Sequence, residues 1–145
     1  MVIRFIKKFR KVIFIFFCLF FYCGNVWGAD CEQDITADVS GTAYNCNSND
    51  TFKVSEGVTV SKNSNDYPIN ANNKDNIIID NYGTIKNDGT IDGRGNRPIN
   101  LKNSSNINIY NRNTGTISAR KSGTIYLKAT DGDINIYNEG TISAT

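Results

Sequence analysis

The chain is 145 residues long, a length that allows one domain, and it carries 16 basic and 14 acidic side chains with no histidine. Five of the bases (Arg4, Lys7, Lys8, Arg10 and Lys11) fall in the first eleven positions. Without them 11 basic face 14 acidic side chains, a net charge of −3. A mildly acidic body lacks the electrostatic footprint of phosphate-backbone binding, which excludes nucleic acid as a partner. The absence of histidine removes the commonest general base and metal ligand together.

Residues 1–28 read as an export signal. A basic start, MVIRFIKKFRK, precedes eleven apolar residues from Val12 to Tyr22. That run is shorter than the roughly 20 residues of a membrane span and suits the core of a signal peptide. Val26 and Gly28 stand at the −3 and −1 positions of a small-residue cleavage site, so the mature chain is expected to start at Ala29. Cleavage one residue later would place Trp27 at −3. An uncleaved signal anchor is the alternative; a lipoprotein is disfavoured, because Tyr22 before Cys23 and Asp30 before Cys31 are not small residues.

Cys18 and Cys23 leave with the signal, and Cys31 and Cys46 remain. An even pair in an exported chain reads as one disulfide formed in an oxidising compartment. A metal or redox pair is the competing reading, but the spacing is not CxxC and no histidine assists. Between these cysteines, ITADVSGTAY has β-prone pieces without a clear period. Residues 29–50 are therefore expected to form an N-terminal cap over the exposed first edge of a strand array that begins at Thr51.

From Thr51 a period-2 pattern begins, with TFKV, SEG, VTV and a polar loop. It looks like a degenerate first copy, since Gly57 precedes Gly83 by 26 residues. From Tyr67 to Thr145 the repetition is plain: Ile69 falls on Ile99 and Ile125, and Ile77 on Ile107 and Ile134. Asn81 falls on Asn111 and Asn138, and Gly83 on Gly115 and Gly140, with shifts of 30 and then 27 residues between copies. A period of this size signals a stacked architecture. Each copy holds three short runs rich in Ile, Thr and Tyr, stopped by Asn, Gly or Asp, and no stretch has sustained helical spacing.

The fold expected is all-β: a right-handed parallel β-helix of about three coils, the last incomplete, over residues 51–145. Strands of successive coils stack about 4.8 Å apart. Ile107 and Ile109 share one face, as do Ile134 and Ile136, and these should form inward ladders. Ile85, Ile117 and Ile142 begin a second stack; Ile69, Ile99 and Ile125 begin a third. Asn81, Asn111 and Asn138 stand at a turn where stacked amides can bond from coil to coil. Gly83, Gly115 and Gly140 are expected to supply a positive φ or a tight corner. Asn108, Tyr110, Asn135, Tyr137 and Lys128 should face solvent and offer a lateral binding surface.

The tandem NxGTI copies, at Asn81–Ile85 and Asn138–Ile142 with a longer loop between Asn111 and Ile117, resemble the start of passenger domains in autotransporters (type V secreted proteins). The signal and the early cysteine pair belong to the same resemblance, which covers about residues 31–145. It implies export by the Sec machinery, passage across the outer membrane of a Gram-negative bacterium and display at the cell surface, often as an adhesin. The partners implied are a host-cell or matrix surface, or self-association. The C-terminal barrel of such proteins is not encoded in these residues, and the chain stops inside a copy, so a truncated passenger is expected. The NPNL-like and NPNG-like motifs of the two-partner variant are absent. An enzyme or toxin passenger whose active part is missing, and a non-functional remnant, are the alternatives.

No catalytic, cofactor or metal site is expected. Gly89–Gly95, GTIDGRG, resembles a segment of polygalacturonase-type hydrolases, but their clustered aspartates and histidine have no counterpart here; Asp88 and Asp92 read as turn caps. Asp131-Gly132-Asp133 lacks the rest of a calcium loop and reads as a turn. Ser and Thr are abundant without the base or the GxSxG setting of a nucleophile. The sequons at Asn49 and Asn103 read as chance matches in an asparagine-rich chain.

Overall fold

The computed structural model describes residues 29–64, 66–90, 96–121 and 123–145. The expected export signal, with Gly28, and Asp92 of the GTIDGRG stretch lie outside the described residues. Fifteen short strands and no helix make up the described chain. They run in triplets: β1 (Ala29–Asp30), β2 (Gln33–Ile35) and β3 (Val39–Ser40), then β4 (Tyr44–Asn45), β5 (Thr51–Val54) and β6 (Thr59–Lys62). The next triplet is β7 (Ile69–Asn72), β8 (Ile78–Asn81) and β9 (Thr84–Asn87). β10 (Ile99–Ser104), β11 (Ile107–Asn111) and β12 (Thr116–Ala119) come next, then β13 (Ile125–Ala129), β14 (Ile134–Asn138) and β15 (Thr141–Ala144).

Every third strand joins the same sheet. The first sheet is β1-β4-β7-β10-β13, the second β2-β5-β8-β11-β14 and the third β3-β6-β9-β12-β15, all parallel. This is a parallel β-helix. Each sheet holds five strands: residues 51–145 supply β5 to β15, and residues 29–50 add β1 to β4 to the same lattice. The segment expected as a cap is thus the first coil and the start of the second. Its strands of two or three residues are too short to carry an alternation that could be recognised as periodic.

Alternation drives each strand. Within β11 the isoleucines point inward and the intervening residues outward, which buries Ile107 and Ile109 completely. Register then places like on like: Ile69, Ile99 and Ile125; Ile79, Ile109 and Ile136; Ile85, Ile117 and Ile142. β-branched side chains fit such pleated, half-buried surfaces well. Lower in the array Tyr44, Phe52 and Val60 fill the same columns, with Tyr44 and Phe52 tilted at 4.8 Å between ring centroids. Burial raises the Tyr44 hydroxyl above its ordinary pKa of 10.0.

Cys31 and Cys46 are bonded, with Cα atoms 4.5 Å apart. They directly follow the paired residues Asp30 and Asn45 of β1 and β4, and Cys46 in turn continues the column of Ala71, Leu101 and Leu127. The disulfide is therefore a covalent rung in an inward ladder, clamping the first coil to the second. In the chain-entropy account a loop of this size stabilises by about 3 kcal/mol. Reduction, or a Cys31→Ser/Cys46→Ser double substitution, is expected to lower the unfolding free energy by about that amount. Unchanged denaturant unfolding with and without reductant would refute this.

Candidate functional site

The corner between the second and third sheets repeats Asn-x-Gly, lengthened by two residues between Asn111 and Gly115, and the structure shows what each residue does there. Asn81, Asn111 and Asn138 are the last residues of β8, β11 and β14, stacked in register and turned inward. Asn81 Nδ2 donates to Asn111 Oδ1 at 2.8 Å, and Asn111 Nδ2 donates to Asn138 Oδ1 at 2.7 Å. Asn111 also donates to the carbonyls of Gly115 and Thr141, both at 3.2 Å. Below Asn81 the column changes to Val54, and the buried Asn81 Oδ1 finds no donor. The amides thus close the corner that the backbone alone would leave unsatisfied.

Of the two roles expected of the glycines, the structure shows the tight corner and not the positive φ. Gly83, Gly115 and Gly140 are not among the positive-φ residues. They are required by close approach instead: a Cβ on Gly115 would lie 2.4 Å from both Asn111 Oδ1 and the Asn81 carbonyl oxygen. One on Gly140 would lie 2.2 Å from the Gly115 carbonyl oxygen. Register also sets Thr59 beside Thr84, so Val58, not Gly57, lies under Gly83. Positive φ falls on asparagines at the opposite corner, between the first and second sheets: Asn49, Asn73, Asn76, Asn103 and Asn106. Asparagine tolerates this conformation better than most residues. Asn76 there donates to Asn49 Oδ1 at 3.0 Å, and Asn103 forms the extra residue where β10 slips against β13. Asp131-Gly132-Asp133 occupies the same corner in the last coil, with Gly132 at φ 78°.

The outer face of the second sheet carries the most organised surface. Asp34, Lys53, Asp80, Tyr110 and Tyr137 stand one above another. Tyr110 and Tyr137 are stacked at 4.9 Å with rings 7° apart. Arg112, carried by the longer corner of its coil, reaches back so that Nε donates to Asp80 Oδ1 at 2.6 Å. Its guanidinium lies 4.8 Å from the Tyr110 ring and 5.6 Å from that of Tyr82, with Lys53 Nζ 5.8 Å from the same Tyr82 ring. The bond to Asp80 holds the Arg112 pKa above its ordinary value. Beside this column Asn135 Nδ2 donates to Asn108 Oδ1 at 3.2 Å.

Four of the residues expected on a lateral surface, Asn108, Tyr110, Asn135 and Tyr137, are therefore side by side. Lys128 is not with them; it projects from the first sheet. The Asp80–Arg112 pair was not visible as a repeat, because its partners are offset by 32 residues. The longer loop between Asn111 and Ile117 was the one signal that a side chain there leaves the lattice. Charge, amide and stacked ring thus recur on the second sheet's outer face at one strand spacing. Among the described residues no group of three or more His, Cys, Asp or Glu side chains is placed to hold a metal ion.

Gly115→Ala is expected to cost about 3 kcal/mol by forcing the corner apart, whereas Gly123→Ala, with nothing within 4 Å of its added Cβ, should stay within about 0.5 kcal/mol of the parent. Equal effects in thermal unfolding would refute the close-approach argument. Asn111→Leu should cost about 1–3 kcal/mol, since it leaves the Asn81 amide only the longer bond to the Thr116 carbonyl and removes the donor to Asn138. Asn111→Asp should cost more at neutral pH, because a carboxylate would face carbonyl oxygens, and part of that loss should return as pH falls and the acid is protonated. A pH-independent Asn111→Asp penalty would contradict the ladder. Comparison with protein-family models, with curated proteins and with solved structures yields no match to this chain.

Proposed function

We propose that the chain is the N-terminal part of a secreted, surface-displayed passenger of the autotransporter type, and that its β-helix serves as a structural or adhesive stalk. The observation that carries this reading is the Cys31–Cys46 rung, which ties completion of the inner ladder to an oxidising compartment. The basic and apolar residues of 1–28 supply the matching export signal for the Sec machinery, and the NxGTI corners supply the family resemblance. Adhesion is supported by the lateral faces, where exposed side chains recur at one strand spacing and present a rigid array to a second surface. The functional groups there suit binding rather than bond-breaking chemistry.

The test is export of the full chain from a Gram-negative host, followed by N-terminal sequencing, thiol alkylation and adherence of chain-coated beads to cells and matrix. The expected result is a chain outside the cytoplasm, starting at Ala29, with Cys31 and Cys46 protected from alkylation and with beads that adhere. Retention in the cytoplasm with the first 28 residues intact and both thiols free would overturn the secretory reading. Proper export with non-adherent beads would leave the stalk role and remove adhesion.

A further inference from the structure

The outer face of the first sheet carries a charge arrangement that the fold does not require. Lys102 and Lys128 are direct register partners on β10 and β13, and both are exposed. Like charges set directly opposite in a sheet are destabilising. Lys62, Lys86 and Arg112 each pair with an aspartate. Among the described residues neither Lys102 nor Lys128 has an acidic partner. Within the strands of this sheet the only acidic residue is Asp30, in β1, so the upper half of the face is purely cationic.

A third cation joins them. The Arg97 guanidinium lies 4.4 Å from the centroid of the Tyr126 ring, and Tyr126 stands on Asn100, two residues before the Lys102–Lys128 rung. Stacking holds the planar fork in place and lowers the ordering cost of any contact it makes. Beside the cations runs an amide ladder: Asn70 Nδ2 donates to Asn45 Oδ1 at 3.2 Å, and Asn100 Nδ2 donates to Asn70 Oδ1 at 2.7 Å. Asn45 accepts one of these bonds and Asn70 both donates and accepts one, and each amide still has a second hydrogen and a second lone pair to offer.

We propose that this face binds a linear anionic polysaccharide lying along the solenoid axis. Lys102 and Lys128, about one strand spacing (~4.8 Å) apart, would each take a sulfate or carboxylate, with Arg97 taking a third. Asn45 and Asn70 would meet hydroxyls. The repulsion in the free chain is relieved on binding, so the cost in the fold becomes a gain in the complex. A nucleic acid fits less well, because the body outside the first eleven residues carries −3 and Arg97 already covers Tyr126, the ring on which a base would stack. This deepens the adhesive reading and rests on it.

The experiment titrates the purified full chain with dextran sulfate and with alginate, and compares neutral dextran and duplex DNA. It includes the Lys102→Gln/Lys128→Gln double variant and Lys86→Gln, on the third sheet, as a control. The expected result is salt-sensitive binding of at least one of the two anionic polymers, weakened at least ten-fold in the double variant and unchanged in the control. The double variant should unfold at the same or a higher temperature, which separates lost binding from lost structure. The proposal is overturned if neither anionic polymer binds, if neutral dextran or DNA binds as tightly, or if the double variant keeps its affinity. Because binding is read in vitro, its failure is distinct from a failure of export or adherence.

Discussion

The constraint on which the rest of the molecule depends is coil-to-coil register. Each strand hydrogen-bonds in parallel to its counterpart one coil away, so a side chain meets the residue at the equivalent position rather than a stranger. Isoleucine on isoleucine gives an aliphatic ladder, asparagine on asparagine an amide ladder, and tyrosine on tyrosine a ring stack. A slip of one residue would turn every inward side chain to the surface. The corners exist to prevent that slip: the amides of Asn81, Asn111 and Asn138 bridge coils, and Gly115 and Gly140 let carbonyls of the coil below come close.

The same register explains how a surface is made. A β-helix gives the outside as regular a spacing as the inside, so a substitution in one copy changes one rung of an outer column. Copies that differ outward while agreeing inward, as Asp80, Tyr110 and Tyr137 do above Ile79, Ile109 and Ile136, keep the core and vary the face. Where Tyr137 follows Tyr110 the rung stabilises by stacking; where Lys128 follows Lys102 it opposes like charges. The first supports the array, and the second does not.

The ends of the array obey the same rule with fewer repeats. Toward the first coil the isoleucine columns end on Tyr44, Phe52 and Val60, the leucine column ends on the cystine, and the strands shorten to two or three residues. A bond across Cys31 and Cys46 supplies what short strands cannot, since few backbone hydrogen bonds are formed there. Toward the last coil the inward residues Ile125, Leu127, Ile134 and Ile142 are only partly covered, because β13, β14 and β15 are the edge strands of their sheets.

The sequence by itself determined the β-helix, its inward isoleucine columns and the amide ladder, because in a stacked fold identical residues at a fixed period are spatial neighbours. It also determined that the Asn-x-Gly corner needs glycine, though not why. Only the tertiary structure decided that the reason is contact with the coil below rather than a left-handed backbone. It alone showed that residues 29–50 belong to the lattice, that Asn81 and Asn111 point into the core, and that Lys128 and Tyr137 lie on different sheets. These properties depend on distances between coils. A repeat reports which residues are equivalent, whereas contacts such as Arg112 on Asp80 join positions that are not equivalent, and no period in the chain can record them.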